Sequence, residues 1–322
     1  MKDANDLLRA GRLKDITQAV YSARVWRPGG IVSFGSIKDR ILAPVEIGDP
    51  WPWEGLTKVT YGRRPGEVYA LGAGTGVGKT DVFTQIIAHD AVTLGRKCGV
   101  LYLEQPIAET GKRIAGKLAG KRFHVPDGSW TQAELVSAAD TIAATDNVFM
   151  LEAFGATDWE YVQSLVRYMV LGLGCEHIFL DHLTALAAAA DDERKMLEKV
   201  MEALATMAQG LKFKLHFISH LATPEGKPHE EGGRVMIRHF RGSRAIGYWS
   251  HFMFGLERDQ QEEDEERRSI TTFRCLKDRF TGNAAGFTTG LRYDRATGIL
   301  HETALPQTEE RRGGRRGDHN DF

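Results

Sequence analysis

A chain of 322 residues with 42% hydrophobic and 26% charged content is long enough to bury a real core as one large or two modest domains, and its balance is that of a soluble globular protein. The formal net charge of −1 excludes a global field that would recruit nucleic acid, so any polyanion must meet a local patch. Cys98, Cys175 and Cys275 lie far apart at no metal-ligand spacing and read as free thiols of a reducing compartment. No stretch approaches the roughly 18 apolar residues of a membrane span and the N-terminus has no apolar signal core, so a cytoplasmic location is expected.

In chain order, residues 1–33 hold little core-forming material: one helix-like stretch from Ile16 to Val25, then a Pro28-Gly29-Gly30 break. From Ser36 to Val45 the apolar residues Ile37, Ile41, Leu42 and Val45 recur at helical spacing, which predicts a short amphipathic helix isolated by Pro44, Pro50 and Pro52. Its partner surface is either its own domain or another subunit. Beyond Trp51-Pro52-Trp53-Glu54-Gly55-Leu56 short apolar runs alternate with helical segments, as parallel strands buried on both faces should. Strands are predicted at Val68–Leu71, Gly99–Leu103, Val148–Leu151, His177–Leu180 and Lys214–Ser219, and further ones at His251–Leu256, Ile270–Leu276 and Gly290–Tyr293. Met196, Leu197, Val200, Met201, Leu204 and Met207 share one face of a helix that Gly210 should stop, a core stripe rather than a cofactor box. Residues 303–322 are polar and charge-rich and are expected to be a disordered tail.

The first strand runs into Ala73-Gly74-Thr75-Gly76-Val77-Gly78-Lys79-Thr80, followed by a helix from Asp81. A triphosphate needs backbone N–H groups around its oxygens, and small residues let the chain wrap closely enough to supply them. Lys79 adds a point charge at the β/γ-phosphates and Thr80 a hydroxyl for Mg²⁺. Hydrolysis needs partners at the carboxyl ends of neighbouring strands, where ligands collect in open α/β sheets. Asp181 ends one such strand, the form expected of an aspartate holding the Mg²⁺ water shell, and Glu104 ends another, placed to deprotonate the attacking water. Either carboxylate taken alone could equally cap a turn or helix. His220, after Ser219, is a candidate γ-phosphate sensor, the alternative being a buried histidine satisfied by the core. The long segment Leu221–Arg234 has the character of a functional loop, and Arg238, Arg241 and Arg244 beyond it form a local basic surface suited to phosphates or simply to solvent. Lys277-Asp278-Arg279 ends the constellation; arginine has the planar, delocalised charge that neutralises a transferring phosphoryl group, often from a neighbouring subunit.

Taken in order, these pieces resemble the helicase half of phage primase-helicases and the related mitochondrial and bacterial hexameric replicative helicases. The resemblance covers most of the chain. It rests on the phosphate loop, Leu103-Glu104, Leu180-Asp181-His182, Asp192-Glu193-Arg194-Lys195-Met196, Ser219-His220-Leu221, His229-Glu230-Glu231-Gly232, Arg241-Gly242-Ser243, Leu256-Glu257-Arg258 and Lys277-Asp278-Arg279-Phe280-Thr281-Gly282. It implies a RecA-like α/β P-loop NTPase core with a mainly parallel sheet flanked by helices, over residues 56–302. A linker at 34–55 would carry a helix that packs on the adjacent subunit, residues 1–33 would be a remnant of a toprim-like primase module or an arm, and 303–322 a flexible tail.

The same resemblance assigns roles. Gly74, Thr75, Gly76, Val77, Gly78, Lys79 and Thr80 would bind ATP or dTTP, with Mg²⁺ on Thr80 and Asp181. Glu104 becomes the base, His220 the sensor, and Arg279, assisted by Lys277, a finger entering a neighbour's site. Arg258 and Phe287 would flank the nucleotide base, and Lys227, Arg234, Arg241 and Arg244 would hold one DNA strand in a central channel. The whole would be a hexameric ring moving 5′ to 3′ on single-stranded DNA to open a forked duplex in the host cytoplasm. Its partners would be a primase and, through the terminal Asp321-Phe322, a replicative polymerase. The chain departs from the phage pattern in having Gly247-Tyr248 where Arg-Gln often stands, and in a tail whose Arg311, Arg312, Arg315 and Arg316 offset its acids. A RecA-like recombinase would share the core without the Lys-x-Arg ending, and a nucleotide-binding scaffold would have lost Lys79, Glu104 or Asp181.

Overall fold

The computed structural model describes residues 3–22, 30–153, 158–188 and 190–306. The tail from 307 onward with its Asp321-Phe322 ending, and Val25 and Pro28-Gly29, lie outside the described residues. The chain divides into two compact units, Met1–Glu46 and Ile47–Phe322.

The first unit contains α1 (Ala4–Arg9), α2 (Leu13–Tyr21), a 3₁₀ turn at Phe34–Ile37 and α3 (Lys38–Leu42). Asp3 caps α1 by accepting from the N–H groups of Asn5 and Asp6. The amphipathic helix expected to reach Val45 stops at Leu42. Ala43 turns extended, with φ −58° and ψ 138°, because the ring of Pro44 disfavours helix in the residue before it. Phe34, Ile41, Leu42 and Val45 are exposed, while Ile37 is half-buried.

The second unit holds α4 (Glu54–Thr60), β1 (Val68–Ala73), α5 (Lys79–Ala88), β2 (Cys98–Tyr102), α6 (Ile107–Ala119), α7 (Gln132–Thr145), β3 (Val148–Met150), α8 (Trp159–Leu171), β4 (His177–Asp181), α9 (Glu193–Leu211), β5 (Lys214–His220), α10 (Ser243–Trp249), β6 (Phe252–Glu257), α11 (Glu265–Ser269), β7 (Ile270–Asp278), β8 (Thr288–Tyr293) and β9 (Leu300–Thr303). They build one sheet in the order β3-β2-β4-β5-β1-β6-β7-β8-β9. The first six strands of that order are mutually parallel and the last three form an antiparallel meander. Every strand expected from the sequence is present to within two residues; β9 was not expected.

Side chains alternate between two cores, as a pleated strand requires. Val68 and Ala70 of β1, Ile178 and Leu180 of β4, and Leu215 and Phe217 of β5 face a core completed by α8, α9 and α10. Tyr69 and Leu71, Phe179, and Ile218 face the opposite core, which α4, α5 and α6 close together with Trp51 and Trp53. The stripe Leu197, Val200, Met201, Leu204 and Met207 of α9 is buried, as expected of core. The helix nevertheless runs through Gly210 to Leu211 and ends on Lys212 in the left-handed conformation, φ 62°. Buried Phe213 follows at once, and its carbonyl accepts from the Gly66 N–H, which sets where the chain turns back into β5.

The amino ends of the parallel strands are sealed by buried charge. Arg63 and Asp90, both fully buried, form a bidentate pair at 2.5 and 2.6 Å, with the guanidinium 4.9 Å from the Trp51 ring centroid. Beside them Asp49 accepts from Lys214 Nζ at 2.5 Å and lies 3.0 Å from His177 Nε2, and the other His177 nitrogen is 3.2 Å from His216. Burial opposes ionisation of Asp49, but His177 and Lys214 outweigh it and hold the carboxyl far below its usual range. Burial pushes the His177 imidazole down to about 4 against the pull of Asp90 and Asp49. This network ties residues 49–51 to the strand ends, and β9 ties the following turn: Leu300 O accepts from Trp53 Nε1 at 3.0 Å and Glu302 from Gly55 N–H at 2.8 Å. Among the described residues no helix is long and apolar enough to cross a membrane.

Two stability outcomes follow from the buried charges. Asp90→Ala leaves Arg63 buried without its counter-charge and is expected to cost about 3–5 kcal/mol in urea unfolding; a loss under about 1 kcal/mol would refute the role given to the pair. His177 is neutral in the fold and titrates near 6.5 when unfolded, so only the unfolded chain takes up a proton as pH falls through that window. The His177 contribution to unfolding free energy should therefore fall by about 3 kcal/mol from pH 6.5 down to about 4, opposite in sign to that of Asp181, whose raised carboxyl takes up its proton in the fold; Asp181→Asn removes the opposing term, and a pH-independent urea midpoint in that variant would contradict the role of His177.

Candidate nucleotide site

Four neighbouring strands, β2, β4, β5 and β1, deliver the candidate groups to one edge of the sheet. Parallel register pairs Tyr102 with Asp181, and Ala73 with His220, so Glu104, Asp181, His182, His220 and the phosphate loop emerge side by side. The N–H of Leu103 donates to Asp181 O at 2.7 Å, which carries the alignment past the end of β2. The peptide between Asp181 and His182 is cis.

The loop from Gly74 to Gly78 turns through two left-handed glycines, Gly76 at φ 71° and Gly78 at φ 107°, before α5 starts at Lys79. Lys79 Nζ donates to the carbonyls of Ala73 at 3.1 Å and Gly74 at 2.9 Å, and burial lowers its pKa against the pull of Asp181 and Glu104. Asp181 is buried, and burial followed by the charge of Glu104 pushes its carboxyl up to about 7, with Lys79 and the Thr80 hydroxyl opposing. Hydroxyl and carboxylate oxygens in contact are the hard donors that suit Mg²⁺.

An anion from this chain already lies in the phosphate cradle. Glu230 Oε1 accepts from the Thr75 N–H at 2.9 Å, and a Cβ on Gly74 would meet that oxygen at 2.6 Å. A strap around it holds the carboxylate there. Gln260 N–H donates to Glu230 O at 3.0 Å, Gln260 Nε2 to Thr75 O at 2.8 Å, and Lys227 pairs with Asp259 at 3.0 Å. The carboxylate does what a phosphate oxygen would do, which is direct support for an anion-binding loop. Sequence reasoning assigned Glu230 and Gln260 no role; a glutamate in a loop carries no local signal that it folds back on a phosphate loop.

Glu104 is half exposed and meets two imidazoles, His182 Nδ1 at 3.0 Å and His220 Nε2 at 3.6 Å, whose rings cross edge-on 4.1 Å apart. Burial, and then the charge of Lys79 for His220 or of His220 for His182, lowers both histidines, so both are neutral at neutral pH. In the sequence His182 stands out only as part of Leu180-Asp181-His182, without a role. His220 also anchors the long loop. Its carbonyl accepts from Arg241 N–H at 3.1 Å, Leu221 bridges to Phe240, and both pack over β1, where a Cβ on Gly72 would meet Phe240 at 2.5 Å. The loop therefore leaves and returns at His220.

Arg258, after β6, donates to Gly76 O at 2.6 Å and lines a cavity of about 210 Å³ with Gly76, Gly78, Asp81 and Tyr293. Phe287 does not line this cavity: it precedes β8, packs on the core, and its carbonyl accepts from Cys275 N–H, while Tyr293 at the far end of β8 lines the cavity with Arg258. Lys277 and Arg279 lie at the opposite end of the sheet. Met253 pairs with Lys277 and Tyr69 with Phe252, so Arg279 sits level with the start of β1, roughly 16 Å in strand rise behind Ala73. Lys277 Nζ donates to the carbonyls of Gly247 at 2.5 Å and Ser250 at 2.7 Å, and Arg279 to Tyr248 O at 3.3 Å, so the end of α10 is held through backbone atoms whatever the side chains at 247 and 248. Arg234, Arg241 and Arg244 are exposed; the latter two share a surface depression with Glu193 and Glu198, and Lys227 is occupied by Asp259.

Residues 51–291 match the family model described as DnaB-like helicase C terminal domain. The chain is 31% identical over 315 residues to the DNA helicase/primase of Enterobacteria phage T3; the match covers 94% of this chain and spans 55% of that relative's length. Among solved structures it is similar to one described as an ATPase domain, with a TM-score of 0.69, 20% identity, and coverage of 85% of this chain and 100% of that one. It is likewise similar to a DnaB-like replicative helicase solved to describe its interactions with primase, with a TM-score of 0.69, 19% identity, and coverage of 94% of this chain and 74% of that one. These two likenesses establish the RecA-like ATPase fold.

If this loop takes a triphosphate, Glu230 competes for the same amide. Glu230→Ala should therefore tighten nucleotide binding by roughly 5- to 30-fold, the equivalent of about 1–2 kcal/mol for a charge-assisted hydrogen bond no longer broken on entry. Titration of a fluorescent nucleotide analogue reads this directly, and unchanged or weaker binding would show that the carboxylate does not compete.

Proposed function

The chain belongs to the family of DnaB-like helicase C-terminal domains, a family of NTP-hydrolysing helicases, and from that premise we propose that it is the motor of a ring-shaped replicative DNA helicase. One observation carries the reading. The phosphate loop, Glu104, Asp181 and His220 stand together at one edge of the sheet, while the only arginine of the Lys-x-Arg ending, Arg279, stands at the other. In this reading a single chain carries the phosphate loop and its acids at one edge and offers Arg279 from the other to a neighbour. The exposed apolar residues Phe34, Ile41, Leu42 and Val45 support a second subunit contact through the linker.

In this proposal the amides of Gly74–Gly78 and Lys79 hold the β/γ-phosphates of ATP or dTTP, with Arg258 and Tyr293 beside the base. Mg²⁺, when bound through Thr80 and Asp181, neutralises charge on the β/γ-oxygens. Glu104 orients the attacking water and takes its proton, and the neighbour's Arg279 stabilises the charge that develops on the transferring group. His220 senses the γ-phosphate and, through Arg241 and the Leu221–Phe240 bridge, passes the change to the loop carrying Lys227 and Arg234, which with Arg241 and Arg244 would hold a single strand. A six-membered ring, travel from 5′ to 3′, a primase partner, polymerase docking through the tail and a cytoplasmic site of action belong to the same proposal.

Unwinding of forked DNA, with the loading tail on either strand, tests it. Wild type should open a fork with one tail polarity, and Lys79→Ala and Arg279→Ala should each cut turnover by roughly 10³-fold or more. Mixed together, the two inactive variants should regain hydrolysis, because a Lys79→Ala subunit still lends its Arg279 to a neighbour's intact loop. A protein that hydrolyses nucleotide without opening either fork would refute the helicase reading, and mixtures that stay inactive would refute the shared site.

A further inference from the structure

We propose that Glu104, His182 and His220 form a binding site for a zinc-class divalent cation, Zn²⁺, Co²⁺ or Ni²⁺, separate from the Mg²⁺ position at Thr80 and Asp181, and that its occupancy arrests hydrolysis. One carboxylate oxygen and one nitrogen from each ring lie within 4.8 Å of one another. The two separations, 3.0 Å from Glu104 to His182 and 3.6 Å from Glu104 to His220, bracket the roughly 3.3 Å between ligands of a tetrahedral ion with bonds of about 2.0–2.1 Å. The donors come from positions at or just beyond the ends of three adjacent strands, whose register brings their backbones side by side.

The chemistry selects the metal. Two imidazoles and a carboxylate suit Zn²⁺, Co²⁺ and Ni²⁺, whereas Mg²⁺ and Ca²⁺ prefer oxygen ligands throughout. His182 Nδ1 supplies an independent sign: it is buried and, although close to Glu104, makes no aligned hydrogen bond, so a polar atom aimed into the cluster is left for a ligand. Glu104 is half exposed, which gives an ion an entry path and leaves a fourth position for water. Of the positive charges nearby, Lys79 directs its ammonium to the carbonyls of Ala73 and Gly74, and Arg241 acts on His220 from the side of the long loop. A carboxylate committed to an ion cannot take a proton from water, so a bound ion silences the base. The arrest rests on Glu104 being that base; the binding does not.

Visible absorption of Co²⁺ titrated into the full chain, without nucleotide, reads the site. Wild type should develop ligand-field bands that saturate at one equivalent per chain and vanish with chelator. Glu104→Gln, at an exposed position, and His182→Ala should each weaken Co²⁺ by at least about tenfold, with thermal melts reported alongside to show that both are folded. Equal Co²⁺ affinity in wild type and Glu104→Gln, or no bands in wild type, overturns the site. Micromolar free Zn²⁺ should stop hydrolysis by wild type in excess Mg²⁺; saturated Co²⁺ bands with undiminished hydrolysis overturn the arrest and leave the role of Glu104 as base to be rejected separately by the activity of Glu104→Gln.

Discussion

Everything at the site depends on the parallel pairing of β1 between β5 and β6. Because parallel strands point the same way, their carboxyl ends share an edge, and each register pair becomes a statement about which side chains meet there. Ala73 opposite His220 places that imidazole beside the phosphate loop, and Ala73 opposite Leu256 brings Arg258 to its other flank. A slip of one residue would invert the faces of β1 and separate these groups, and the two different cores on either side make such a slip prohibitive.

The same polarity separates Arg279 from the phosphate loop within one chain. Strand ends that carry the loop and the acids are by construction remote from strand starts, and β7, running antiparallel, returns Lys277 and Arg279 to the starts. The strand starts themselves are closed by Arg63, Asp90, Asp49, Lys214 and His177, buried charges that satisfy one another and stitch residues 49–51 under the sheet. A purely apolar plug would cover that edge as well, but it would not hold residues 49–51 in one register against the strands.

Between nucleotide loop and the loop proposed to meet DNA there is a physical connection at both ends. At its base, Leu221 and Phe240 bridge beside His220 and press on Gly72; at its far end, Glu230 lies in the phosphate cradle. The anion seat is taken by the carboxylate of the strap, and a phosphate bound at the same amide would compete with it. Coupling of this kind needs no long pathway, because the exchanged groups compete for one amide.

The phosphate loop, the parallel strands and the acids that follow them were legible in the sequence because each is a local pattern: small residues at fixed offsets, or a short apolar run ending in a carboxylate. The stripe on α9 was legible for the same reason, and its end was misplaced because Lys212, not Gly210, takes the left-handed turn demanded by buried Phe213. β9 escaped notice since Leu300–Thr303 has no pattern of its own and exists only by pairing with β8 and bonding to Trp53 and Gly55. Tyr293 rather than Phe287 beside Arg258, His182 against Glu104, and Glu230 in the cradle are meetings of residues distant in the chain. By itself the sequence determined that a triphosphate-binding α/β sheet would form and which strands would carry acids to its edge, since those are properties of short segments. Only the tertiary structure decided which side chains close on one another across that edge and that Arg279 stands at the opposite one, because register and strand direction are settled between segments and not within them.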